Sequence, residues 1–268
     1  MTGLPKGFAL LWRLHAAVLG ATLIAEAIGI IRLTLGDFKI VLLPLVPAFC
    51  VGLLLNPNVI AAARKLLPEQ ASVEAGQALQ IVVMPLIVLL SVFIGPQFSA
   101  VADVGFALVL QELGNLGTML FAMPLAVLVF RFGREAVGAT FSIAREGGIA
   151  FIFGKYGGAS AEATGVMGVY ICGTVFGAVF FSVLPSLASA LNYFDPRALA
   201  MACGTGSASM TGACSTALAT LYPSDAELIS ALAASSNLMT GLTGLFVILF
   251  ITLPLAERYY RWLKRLRS

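Results

Sequence analysis

Charge is what this chain has least of. Lys and Arg number 16 and Asp and Glu 13, so charged residues make up 11% of the 268, against about 25% in a soluble domain. With 59% hydrophobic residues, that shortage excludes an ordinary water-soluble globule and implies an integral membrane protein. The formal charge of +3 is no signal of a nucleic-acid partner, because the basic excess lies in one tail, Arg258, Arg261, Lys264, Arg265 and Arg267. Such a tail beside the last apolar stretch reads as a cytoplasmic flank. Histidine occurs once, at His15, which leaves no histidine-based metal site. The four cysteines, Cys50, Cys172, Cys203 and Cys214, show no CxxC spacing and fall in apolar segments, so they read as small packing residues. There is no nucleophile–base pair, phosphate loop or HExxH run. The expectation is therefore no enzyme, no catalytic residue, no metal and no cofactor beyond a coupling ion. The first apolar stretch is long and lacks a small-residue cleavage motif, so it reads as a retained span.

What is present is a series of apolar stretches of about 20 residues, the length that crosses a bilayer. They cover residues 10–31, 40–55, 76–94, 104–130, 163–187 and 226–255. Between them two segments, 134–156 and 196–222, are interrupted by small, polar, glycine-rich runs: Phe141 to Gly148, and Cys203 to Gly212. Polar, non-helical backbone at membrane depth is tolerated only where protein buries it or where it lines a cavity. A matched pair of interruptions is a sequence pointer to a transporter's binding site. The two also repeat. Arg134, Gly147, Tyr156, Ala161-Glu162 and Gly173-Thr174 are echoed by Arg197, Gly212, Tyr222, Ala226-Glu227 and Gly241 to Gly244. Each half-segment holds about ten residues, which as helix reach half the hydrocarbon thickness. The segments are therefore either helical hairpins that dip in and return, making the repeats inverted, or single crossings broken at the centre. Hairpins are the favoured reading.

The fold expected is an all-α integral membrane protein with about six transmembrane helices and two re-entrant or broken helical hairpins in an inverted repeat. Residues 1–100 form a scaffold and dimerisation unit, residues 101–268 a transport domain. Positive charges place both termini in the cytoplasm.

The candidate site lies at the two interruptions. Arg145, beside Glu146, is the expected partner of a substrate anion, because a guanidinium holds a carboxylate bidentately. Gly147 and Gly148 let backbone N–H groups at a helix start face the same point. Thr205, Gly206, Ser207, Ser209 and Thr211 offer small hydrogen-bonding groups, and carbonyls able to hold Na⁺. The structural alternative at this second tip is small-residue helix packing. Gln111, Glu112 and Asn115 form a polar cluster inside an apolar span. With Asn237 they are candidates for the coupling ion, Glu112 as a proton carrier or as an interhelical hydrogen-bonding group. Ser235, Ser236 and Asn237, with Thr240 a turn on, are placed to face the second tip. Methionines and phenylalanines elsewhere read as lipid or core contacts.

The runs Leu110 to Gly117, Gly138 to Glu146, Ala198 to Ala202 and Gly206 to Met210 resemble a bacterial membrane family known only as domain of unknown function 3100. The resemblance implies a bacterial inner-membrane protein. The C-terminal half is more distantly similar to the LrgB/CidB family, whose plastid relatives move glycolate and glycerate. The ketodeoxygluconate permeases share a likeness around Gly147-Gly148 and Tyr156-Gly157. The order hairpin–span–hairpin–span resembles the glutamate-transporter core. These resemblances imply an elevator mechanism and a small organic anion as substrate. The resulting expectation is an H⁺- or Na⁺-coupled secondary transporter of a carboxylate, multi-pass and homodimeric. The alternative is a passive channel, or a holin-like or regulatory membrane protein without coupled transport.

Overall fold

A computed structural model describes residues 6–35, 38–68, 70–71, 74–75, 85, 88–89, 91–141 and 145–267; the side chains of Asn115, Arg145, Glu146 and Thr174 lie outside that description. The described chain is almost wholly helical. Helix α1 (Lys6–Ile28) is followed by a two-stranded antiparallel hairpin, β1 (Ile31–Leu35) and β2 (Phe38–Leu42), with Ile31 opposite Leu42 and Leu33 opposite Ile40. Helix α2 (Leu45–Leu54), a 3₁₀ turn (Ala61–Lys65) and α3 (Phe98–Asp103) come next. The remainder is α4 (Gly105–Pro124), α5 (Glu135–Ala139), α6 (Arg145–Tyr156), α7 (Ala161–Ala190), α8 (Pro196–Cys203), α9 (Ala208–Leu221), α10 (Ala226–Val247) and α11 (Leu253–Arg267).

Two rods are long and apolar enough to cross a membrane. One is α4 continued through a π turn, Gly105–Val129; the other runs from Pro223 to Arg267 through α10, a second π turn (Ile248–Thr252) and α11. A third candidate is α7, whose parts Ala161–Gly173 and Phe176–Ala190 meet at 57°. The bend falls between Gly173 and Phe176, next to a glycine, a residue that weakens a helix interior. Phenylalanines 106, 121 and 250 stand 70–82% exposed on these rods. Apolar surface of that extent is untenable in water and is compatible with a lipid environment.

The six-span expectation needs correction over the N-terminal third. Residues 40–55 are not a span: the chain first forms β2, and α2 then has only ten residues, a rise of about 15 Å. The physical cause is alternation of apolar and polar residues on either side of Gly36-Asp37, a hairpin pattern. Strand β2 lies on α7 and α9: the Val41 N–H donates to Ser186 Oγ at 3.1 Å, and Val41 and Leu43 pack with Ala217 and Leu221. The span expected at 76–94 falls mostly outside the described residues.

Local chemistry explains the helix ends. Ser160 caps α7 by accepting from the Ala163 N–H at 3.0 Å. Asp195 caps α8 by accepting from the Arg197 N–H at 2.7 Å, with Pro196 at the first helical position, where its missing N–H costs nothing. Inside the α4 rod Pro124 has no N–H for the Leu120 carbonyl; the Tyr259 hydroxyl of α11 donates to that carbonyl instead, at 3.3 Å.

The core has two large parts, beside the small cluster under β2. One gathers Met119, Met123 and Val127 of the α4 rod, Val137, Phe141 and Ile152 of the first interrupted segment, and Ile248, Leu253, Tyr260 and Leu263. The other gathers Val101, Leu108, Ala200, Cys203, Cys214, Leu218, Ile229 and Leu232 around the second. The α4 rod and the α10–α11 rod contribute to both and run in the same direction, joined in order by Gln111–Ser236, Glu112–Thr240, Leu120–Tyr259 and Val127–Arg267; Gln97, ahead of α3, bonds to Glu227.

Candidate functional site

Each interrupted segment turns back on itself. In the first, Arg134 Nε donates to Glu162 Oε1 at 2.5 Å, while Nη1 and Nη2 hold the Glu257 carboxylate in a bidentate grip at 2.9 and 2.6 Å. The Tyr156 hydroxyl donates to the same Glu257 Oε1 at 2.6 Å. The Arg134 guanidinium stands 5.7 Å from the ring centres of both Tyr156 and Tyr260. Arg134 opens the segment and Tyr156 closes it. A straight helix between them would hold them about 30 Å apart, so the chain leaves and returns to one place. Helix α7 therefore starts beside the end of α4. Hydrogen bonding to Arg134 holds the Glu257 carboxyl below the usual carboxylate range. Burial, with Glu257 adding to it, pushes the Tyr156 phenol above its ordinary value. All three groups lie beyond the apolar stretches, at one edge.

Helix α5 is laid on α7 backbone to backbone. A Cβ on Gly138 would collide with the Glu162 carbonyl, and one on Gly165 with the Glu135 carbonyl. Two glycines thus form the crossing, the small-residue device that lets membrane helices approach closely.

In the second segment Cys203 and Cys214 form a disulfide, with Cα atoms 5.4 Å apart across eleven residues. This corrects their reading as mere packing residues: the turn at 204–207 folds α9 back on α8 and brings the two thiols together. Cys50 and Cys172 are free and exposed. The turn is held by α10. Asn237 Nδ2 donates to the Gly204 and Gly206 carbonyls and to Thr211 Oγ1, at 3.1, 2.8 and 3.1 Å. Ser236 Oγ donates to the Met201 carbonyl at 2.7 Å and accepts from Gln111 Nε2 at 2.5 Å. Gly204 has to be glycine because α10 passes so close that a Cβ would overlap Ser236.

Between the two core parts lies a cavity of about 750 Å³. Of the α4 residues that line it, Leu110, Gln111, Gly114 and Thr118 fall in sequence between Leu108 of one core part and Met119 of the other. Phe141 and Ile149 line it from the first interrupted segment; Met201, Thr205, Gly206 and Met210 from the second. Tyr170, Gly173 and Phe181 contribute from α7. One chamber is therefore walled by both segments and by the bent helix between them.

The expected residues divide. Thr205 and Gly206 line the chamber, and so does Gln111, whose Oε1 is buried with no donor among the described residues. Ser207 and Ser209 hydrogen-bond to each other at 3.2 Å and do not line it. Thr211 is buried and bonded to Asn237, a structural position. Asn237 clamps the turn through the Gly204 and Gly206 carbonyls, the second of which is one of those offered for Na⁺. Glu112 is buried; Thr240 donates to its Oε1 at 2.6 Å and Thr243 to its Oε2 at 2.9 Å. Ser236 faces the second tip as expected, whereas Thr240 serves Glu112, and Ser235 Oγ is buried with no partner among the described residues. Helix α6 is described from Arg145, with Gly147 and Gly148 two and three residues on. The tip residues 142–144 and the side chains of Arg145, Glu146 and Asn115 lie outside the described residues. Sequence reasoning missed the apolar wall. Phe141, Phe181, Met201 and Met210 line the chamber; Phe141 and Met210 belong to the interruption runs, whereas Phe181 and Met201 read in the sequence as lipid or core contacts. Apolar positions of this kind carry no periodic signal that separates a cavity wall from a core.

The fold and this chamber define a helical protein with two rods, or three with the bent α7, long and apolar enough to cross a membrane among the described residues, and a cavity lined by both interrupted segments. The chain belongs to the family described as Protein of unknown function (DUF3100), which matches residues 23–262. No curated protein and no solved structure matches the chain, so the likeness to the LrgB/CidB and ketodeoxygluconate-permease families gains no support.

Proposed function

We propose that this protein is a secondary active transporter of a small organic anion, a carboxylate, coupled to H⁺ or Na⁺. The observation that carries the reading is the 750 Å³ chamber bounded jointly by both interrupted segments, the arrangement in which transporters place a midplane site. The segments act as re-entrant hairpins of an inverted repeat. Support comes from the meeting of Arg134 with Tyr156 and of Cys203 with Cys214. Further support is that the first half-helix of each copy packs on the long helix that follows it, α5 on α7 and α8 on α10.

Arg145 is the anion partner. It stands one helical turn before Ile149, which lines the chamber, and residues four apart share a helix face. Gly147 and Gly148, with Thr205, complete the polar side. Residues 101–268 form the substrate-carrying domain, moving as an elevator against a homodimeric scaffold of residues 1–100. The setting is the bacterial inner membrane, with several passes and both termini in the cytoplasm.

In proteoliposomes, uptake of a radiolabelled carboxylate found by thermal-shift screening should be lost in Arg145→Ala. Uptake at the native rate by that variant would reject the assignment. Saturable flux distinguishes this carrier from a passive channel.

A further inference from the structure

We infer that helix α11 is a binding surface for anionic phospholipid, its arginines pairing with lipid phosphates while an aromatic stripe beside them rests in the headgroup layer. The inference rests on the membrane setting of the chain and not on transport.

The length of the last rod places α11. Pro223–Arg267 has 45 residues, a rise of about 67 Å, against a hydrocarbon layer of about 30 Å. The apolar run ends near Leu255, so α11 carries the rod out of that layer. Three stripes run along it. Leu253, Ala256, Tyr260 and Leu263 are buried against the core. Leu255, Tyr259, Trp262 and Leu266 recur at helical spacing on a second face. Of these Leu255, Trp262 and Leu266 are exposed, and the Tyr259 and Trp262 rings stack with centres 5.8 Å apart. Arg258, Arg261 and Arg265 form the third stripe, all exposed, and their spacing of three and four keeps them on one face. Tryptophan and tyrosine settle at headgroup level, where one edge of the ring is apolar and the other wet. A guanidinium grips a phosphate bidentately. A face that sets the two side by side, at the end of an apolar rod, matches a layer of phosphates above acyl chains.

The neighbouring elements keep one sign of charge at this edge. Arg267 donates to the Val127 and Phe132 carbonyls, which brings the end of the α4 rod, with exposed Phe130, Arg131 and Phe132, to the same level. Lys155 of α6 is exposed there, its Nζ 5.7 Å from the Tyr156 ring centre. The carboxylates at this edge do not offset the stripe. Glu162 and Glu257 are held by Arg134, and Glu135 lies against Gly133. The other end of the rod is the reverse, with Asp225 and Glu227 at the start of α10. Each basic side chain close to an anionic lipid surface favours it by about fivefold, and salt weakens the attraction.

The test uses the two tryptophans, Trp12 and Trp262. In Trp12→Phe protein, Trp262 alone reports. The protein is reconstituted in phosphatidylcholine bilayers that carry a fixed minor fraction of either phosphatidylglycerol or phosphatidylcholine with brominated acyl chains, and quenching of Trp262 is read. Both lipids should quench, with phosphatidylglycerol enriched about fivefold around Trp262. High salt, or replacement of Arg258, Arg261 and Arg265 together by Gln, should bring that enrichment toward one. Equal quenching by the two lipids in Trp12→Phe protein would overturn the anionic preference, and an enrichment unchanged by the arginine replacements would overturn the stripe. Quenching by aqueous iodide but by neither lipid would overturn the placement of α11 at the bilayer. If the arginine variant does not fold, the comparison of the two lipids and its salt dependence decide. A protein that does not sediment with bilayers of either composition would reject the membrane setting, and this surface with it.

Discussion

Asn237 and Arg134 are the side chains on which the two folded-back segments depend, and they work by different physics. Asn237 is neutral: one amide nitrogen reaches three oxygens of a turn that has few backbone partners of its own. Arg134 is charged and half-wet, and its strength lies in geometry, a bidentate grip on Glu257 with a second carboxylate at Nε. Because that grip depresses the Glu257 carboxyl, its contribution to stability is full above the ordinary carboxylate range. It is lost as the pH falls through the lowered value, when Glu257 must take a proton. Thermal melting in detergent should therefore show native protein more stable than Glu257→Gln at neutral pH. The gap should narrow as the pH falls toward and below about 4. A gap independent of pH would show that the pair contributes shape rather than charge.

The helices of this protein are shaped by where they depart from the ideal. The α4 rod carries Pro124 followed at once by a π turn, and the last rod carries a π turn followed by Pro254. A proline removes one rung of the helical ladder, and the wider π turn is where the ladder shifts register. At Pro124 the orphaned Leu120 carbonyl is served by Tyr259 from the neighbouring rod, so the irregularity becomes a contact between rods. Tyr259→Phe should cost about 0.5–1 kcal/mol in the native background. In a Pro124→Ala background, where the restored N–H serves the carbonyl, it should cost close to nothing. A double-mutant cycle on thermal or denaturant unfolding measures the difference; equal costs in both backgrounds would mean that the hydroxyl serves some other group.

For the whole molecule the decisive question is which side of the membrane each turn reaches. The proposed re-entrant arrangement puts Lys155 on the same side of the membrane as the basic tail and Arg197 and Asp225 on the other. In protein with Cys50 and Cys172 replaced by Ser, a membrane-impermeant maleimide should label Lys155→Cys and Lys264→Cys from the same side of oriented vesicles. It should label Asp225→Cys from the opposite side. Labelling of Lys155→Cys from the side of Asp225→Cys would make the first segment a single crossing and remove the inverted repeat.

Composition and apolar run length point to a membrane protein, and the rods long and apolar enough to cross a bilayer are compatible with that; the rod at 105–129 was legible to within a residue or two. The two interruptions were legible as well, because glycine and hydroxyl residues are rare inside apolar runs and their repetition is not a local accident. The hairpin at 31–42 was written in the sequence too, as alternation around Gly36-Asp37, but an apolar run of that length looks equally like the start of a span. Other features could not be read in one dimension. The disulfide needs the fold-back that brings residues eleven apart within 5.4 Å. The cage around Arg134 gathers Tyr156, Glu162, Glu257 and Tyr260, which no spacing rule links. The partners of Glu112 stand 128 and 131 positions away. Sequence by itself determines which residues must leave water and where the chain breaks, since transfer free energy and helix propensity are properties of short stretches. Which side chains then meet, and that a cavity remains between two packed cores, only the tertiary structure decides, because contact is a property of the assembled chain.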